Sequence, residues 1–157
     1  MNTTKARLVA VAILATGAAA VLAAGEPGGP LQSEDIKWGA APPSLPAGVE
    51  LAVLAGDPGK TGPVTIRLRM PAGYEIPSHW HTADERVTVI SGDVGLGVGD
   101  TIDKKAATVL RSGGYAVAMA NMHHFAWTPS GAVVQIDMMG PFDITYVNAI
   151  DNSGKKQ

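Results

Sequence analysis

Gly73-Tyr74-Glu75-Ile76-Pro77-Ser78-His79-Trp80-His81-Thr82-Ala83-Asp84-Glu85, continuing through Arg86-Val87-Thr88-Val89-Ile90-Ser91 to Gly92, is the stretch that decides the reading of this 157-residue chain. Two His at i and i+2 on a strand point to the same face. Glu85 follows four residues after His81, past a short turn, and can fold back beside them. Neutral imidazole and carboxylate are the usual ligands of divalent transition metals. The chain has four His in all, and the other two are the adjacent pair His123-His124. A lone His in a strand is more often a packing or surface residue. Here two His, a carboxylate at a fixed offset, flanking glycines and a distant His occur together, which argues for a metal site.

Working outward, the period is two almost everywhere. Val49–Leu54 is a predicted strand closed by the Asp57-Pro58-Gly59-Lys60 turn. Pro63–Met70 alternates, with Val64, Ile66, Leu68 and Met70 on one face and Thr65, Arg67 and Arg69 on the other. Ser78–His81 carries the His pair inward, and Glu85, Val87 and Val89 share a face of the next strand. Ser91-Gly92-Asp93 reads as a turn, followed by the glycine-rich strand Val94–Gly99. Those glycines suit a crowded barrel corner better than a nucleotide loop, because no helical pattern follows them. Further strands are expected at Thr108–Arg111, Tyr115–Met119, His124–Trp127, around Val134, Ile136 and Met138, and at Phe142–Val147. Met70, Met119 and Met138 are expected in the barrel wall. With Met122 they also allow a minority reading as copper-handling residues. Many short antiparallel strands at regular spacing predict an all-β sandwich or barrel.

Composition narrows the chemistry. There are 19 Gly, 11 Pro and no Cys, so disulfides, thiolate metal sites and a lipoprotein anchor are excluded. The net charge is −2, with no basic patch of the kind a nucleic-acid partner requires. Residues 1–25 have the form of a Sec-type signal peptide: Lys5 and Arg7, an apolar run from Leu8 to Leu22, then small residues at Ala23, Ala24 and Gly25. The apolar run falls short of a spanning helix, so cleavage and a periplasmic or secreted mature protein, free of the membrane, are expected. Residues 26–48 form a Pro- and Gly-rich extended arm in which Trp38 suggests docking, on the domain or on a second subunit. Residues 49–150 form the barrel, and 151–157 a polar tail.

Gly73-x5-His79-x-His81-x3-Glu85-x6-Gly92 resembles the first cupin motif at every specified position. Gly113 and His124 are in register with the second motif, while Met119, Asn121 and Thr128 stand where that motif usually has Pro, Gly and Asn. These departures predict a differently built turn before His124. The resemblance runs from about Val49 to Val147. It implies a jelly-roll β-barrel holding one divalent transition metal (Fe, Mn, Ni, Cu or Zn) through His79, His81, Glu85 and His124, with open positions for substrate or dioxygen. It also implies a homodimer with an arm that crosses to the partner. Strand alternation turns His123 away from the metal, toward the surface or a supporting position, unless the altered turn shifts the register by one and makes His123 the ligand.

The functional expectation is an exported metalloprotein acting on a small polar organic substrate, as a dioxygenase or oxidative decarboxylase. The alternatives are a Lewis-acid isomerase or hydrolase, a non-catalytic module that binds a small ligand or metal, and a barrel that has lost its metal. Tyr74, Glu75 and Asp84 are candidate proton-transfer groups, and Thr128 a candidate pocket residue.

Overall fold

The computed structural model describes residues 29–148. The signal-peptide segment and the tail therefore lie outside the described residues. Ten strands follow one another: β1 (Gly39–Ala40), β2 (Glu50–Ala55), β3 (Gly62–Met70), β4 (Glu75–Trp80), β5 (Glu85–Val98), β6 (Thr108–Arg111), β7 (Tyr115–Ala118), β8 (His124–Trp127), β9 (Ala132–Gly140) and β10 (Thr145–Tyr146). A single 3-10 turn at Ser33–Asp35 precedes them. Every pairing is antiparallel, in the order β1-β2-β3-β9-β5-β8-β4-β10, with β6 and β7 both on β5. The sheet curls into an open, all-β half-barrel. No helix among the described residues is long and apolar enough to cross a membrane.

The alternation of β3 becomes an inner ladder. Val64 lies opposite Met138, Ile66 opposite Ile136, Leu68 opposite Val134 and Met70 opposite Ala132, all buried. Val87 and Val89 of β5 continue the ladder across Ile136 and Val134. Each such side chain contributes roughly 1.5–3 kcal/mol when fully buried. The outer face is polar and cross-linked. Thr65 donates to Asp137 at 2.6 Å, and Arg67 reaches Gln135 at 3.1 and 3.2 Å.

Three expectations change. Ser91-Gly92-Asp93 is not a turn. The register slips between Val89 and Ser91 within one long strand, and this bulge bends β5 from its pairing with β9 and β7 into its pairing with β8 and β6. Gly92 has φ +78°, and a Cβ there would lie 2.2 Å from the Gly131 carbonyl oxygen. Glycine is a turn signal in sequence, and here, just after the bulge, it lets β5 pass close to the Gly131 backbone. Met119 is exposed, unlike the buried Met70 and Met138, because β7 is an edge strand that stops at Ala118. The strand expected at Phe142–Val147 shrinks to Thr145–Tyr146, and Phe142 and Ile144 pack on the core from the loop before it.

The thin strand at Val94–Gly99 has a specific cause. Gly95 pairs with Trp127 and Gly97 with Phe125. A Cβ on either glycine would fall 2.1 Å from the opposing ring. The glycines make room for two aromatic side chains that lie flat across β5.

The arm docks on its own domain. Gly39–Ala40 extend the sheet beside β2. Arg69 lies 4.4 Å from the Trp38 ring centroid, a cation–π contact. Leu45 is buried, and the Tyr74 and Tyr146 hydroxyls donate to the carbonyls of Pro46 (2.6 Å) and Ser44 (2.8 Å).

Candidate metal centre

The site assembles from three places in the chain. β4 delivers His79 near its end and His81 just past it, Glu85 opens β5, and His124 opens β8. His79 and His124 are direct cross-strand partners. Hydrogen-bonded strand partners lie about 5 Å apart, so the pairing of β4 with β8 is what closes the distance between the two motifs. One potential ligand atom from each of His79, His81, Glu85 and His124 lies within 4.8 Å of every other, and all four residues are buried. Glu85 Oε2 is 3.3 Å from His124 Nε2 and 3.6 Å from His81 Nε2.

The outward nitrogens are committed to backbone carbonyls. His79 Nδ1 donates to Pro77 O at 2.7 Å, His124 Nδ1 to Met122 O at 2.9 Å, and His81 Nδ1 to Asp143 O. A carbonyl only accepts, so each Nδ1 carries the proton and each neutral ring turns a lone pair on Nε2 toward the centre. The Nε2 atoms of His81 and His124 are buried and make no hydrogen bond. Orphaned buried ring nitrogens are costly in an apolar core. A cation bound among them relieves that cost, so these residues fit a divalent metal.

Electrostatics act in the same direction. Burial, reinforced by the neighbouring His124, lowers the His79 pKa to about 3, so the ring is neutral. Burial pushes the Glu85 carboxyl up, but the His124 interaction and the facing imidazoles outweigh it, and its pKa is lowered. Burial also opposes charge on His124, yet Glu85 wins and raises that pKa. Without a cation, Glu85 and His124 share the site's charge between them.

The other candidates fall outside the cluster. His123 is partly exposed, with Nδ1 2.6 Å from Asp100, as strand alternation predicts. Asp84 accepts the Ala120 N–H at 2.9 Å and fixes the loop before β8. Tyr74 is spent on Pro46, and Glu75 on an ion pair with Lys104. Thr128 is buried, but its hydroxyl accepts the Gly131 N–H at 3.1 Å rather than lining a pocket. Asn121 has φ +63° and donates its N–H to His81 O at 2.8 Å. The position where the motif usually carries Gly thus adopts the left-handed conformation that Asn tolerates best among other residues. The turn expected to be differently built keeps that demand.

Sequence reasoning missed the carbonyls of Pro77, Met122 and Asp143. Every residue has one, so no side-chain pattern could have marked them.

A cavity of about 260 Å³ opens beside the cluster and reaches Glu85 and His124. A smaller interior void of about 30 Å³ touches His79, Glu85 and His124 from the core side.

A curled all-β barrel with a buried three-His, one-Glu cluster defines a class of protein, and the chain belongs to the cupin family. More narrowly, residues 29–107 match the family described as the ChrR cupin-like domain, a span that includes His79, His81 and Glu85 and stops short of His124. No curated protein matches the sequence. Among solved structures, a candidate acetylacetone dioxygenase from Methylibium petroleiphilum is 19% identical, with a TM-score of 0.60 over 78% of this chain and 83% of its own. The DMSP lyase DddQ from Ruegeria pomeroyi is 16% identical, with a TM-score of 0.57 over 72% and 61%. An RmlC-like cupin from Shewanella frigidimarina is 16% identical, with a TM-score of 0.54 over 69% and 87%. At these identities the likeness is one of fold.

Proposed function

We propose that the protein is a metal-dependent cupin enzyme that acts on a small organic molecule with dioxygen as co-substrate. His79, His81, Glu85 and His124 would hold one divalent transition metal. The observation that carries this reading is the cavity that meets the cluster at Glu85 and His124. A purely structural centre has its coordination closed by protein and needs no such access. A redox metal there would supply a place for substrate and dioxygen to meet and exchange electrons.

The chain's own residues do the rest. The three backbone carbonyls orient the imidazoles. Glu85 balances part of the cation's charge. Phe142 and Tyr146 pack beside His81 and His79, with ring centroids 5.9 and 6.0 Å away, and keep bulk water from that side. The candidate dioxygenase among the fold neighbours supports the dioxygen reading as an analogy. The first 25 residues support export of the mature protein.

The test is exchangeable access at the metal. Protein reconstituted with Fe(II) without oxygen should bind nitric oxide and give a high-spin iron–nitrosyl signal that Glu85→Ala weakens. A bound iron with no nitrosyl signal would mean a closed site and overturn the enzymatic reading.

A further inference from the structure

The lining of the cavity beside the cluster is chemically one-sided. From Glu85 and His124 it runs outward between β5, β6, β7 and β8, walled by Val87, Leu96, Leu110, Val117 and Met122. Beyond the two cluster residues, its polar side chains are Thr108 and the Tyr115 phenol. No Arg or Lys lines it. A carboxylate or phosphate on the body of a ligand would lose part of its water in this space and find no Arg or Lys to pair with. A sugar would leave most of its hydroxyls unpaired. At about 260 Å³ the space lies below the range typical for drug-sized ligands, so the occupant is compact. Tyr115 and Val98 at the mouth are more than half exposed, which leaves a way in.

We propose that the site takes a small ligand with a single chelating oxygen head and an uncharged aliphatic or aromatic body, the head at the four-residue cluster and the body in the cavity. This narrows the small polar substrate expected from sequence. It rests on the metal reading above.

The two can be tested separately with alkyl hydroxamates, whose head chelates metal and whose tail can be varied. Metal-loaded protein should bind acetohydroxamic acid. Affinity should rise about fourfold for each added methylene until the cavity is full, from ~0.8 kcal/mol per buried CH2. Succinic acid monohydroxamate, with a charged tail, should bind more weakly than an alkyl hydroxamate of equal length. Thr108→Lys, at an exposed lining residue opposite Leu96, places a cation on the cavity wall and should reverse that preference with metal content unchanged. Ala116→Phe should abolish the chain-length gain while the short hydroxamate still binds. A flat series, or a preference for the charged tail in the unaltered protein, would overturn the inference and leave the metal reading standing. No bound metal and no acetohydroxamate binding would overturn both.

Discussion

Glu85 Oε2 sits 3.3 Å from His124 Nε2, joining residues 39 positions apart from the first and second sequence motifs. The contact is at ion-pair distance, yet His124 Nε2 makes no directed hydrogen bond. The two groups face a common point rather than each other, as ligands of one ion would.

This sharing of charge predicts opposite pH behaviour with and without metal. In the metal-free protein His124 has a raised folded pKa, so its contribution is full below the unfolded value of 6.5 and is lost as pH rises through the folded value. His79 is depressed from 6.5 to about 3, so stability present above 6.5 is lost as pH falls toward 3. Metal-free protein should therefore be most stable near pH 6.5. Metal-loaded protein needs every ligating imidazole neutral, so it should keep gaining stability above that pH. Chemical denaturation across pH 4–9, with and without metal, would check this. Parallel profiles would count against a shared site.

Chelation should destabilise without unfolding. Ile66, Leu68, Val89, Val94 and Phe125 are fully buried independently of any ion, and a barrel of this size folds on its own core. Metal at a hundred times its Kd contributes ~2.7 kcal/mol. Its removal should lower Tm by roughly 10 °C while the far-UV circular dichroism stays that of a β-protein. Loss of that spectrum on chelation would contradict the account.

The fold was legible because the period of two is written plainly in β3 and β9, and because Gly73, Gly92 and Gly113 of the motifs all take positive φ. The four-residue cluster was legible because His-x-His and a following Glu are rare together. What stayed hidden depends on partners far away in sequence. Nothing local distinguishes the bulged strand through Ile90 and Gly92 from a turn, since the strand continues only because β6 and β8 pair beyond it. Nor does the sequence around Asp143 announce that its carbonyl orients His81, 62 positions earlier. The one-sided lining of the cavity comes from residues on four strands that no single motif spans.

The bulge gives a sharp contrast between two glycines. Gly92→Ala forces a Cβ against the Gly131 carbonyl at positive φ and should cost about 2–4 kcal/mol. Gly59→Ala, whose nearest neighbour would be 3.4 Å away at Asp57, should change stability by less than about 1 kcal/mol. Urea titration of the two variants measures the difference. Equal effects would mean that β5 is not bent as described.

The arm should loosen when one hydroxyl is removed. Burial pushes the Tyr74 phenol well above its usual range, so it remains a donor to Pro46 O throughout ordinary pH. Tyr74→Phe should cost about 1–1.5 kcal/mol and speed proteolytic cleavage within residues 37–48. Unchanged cleavage would show that Trp38 and Leu45 hold the arm without it.

The central claim is that His79, His81, Glu85 and His124 bind one metal ion. Its most direct test is elemental analysis of the protein purified from the cells that make it, beside His79→Ala. The account predicts about one equivalent of a divalent transition metal in the former and a loss of a hundredfold or more in affinity in the latter, beyond the 10–100-fold typical of an outer-shell change. No metal in either protein, and none taken up on reconstitution, would contradict it.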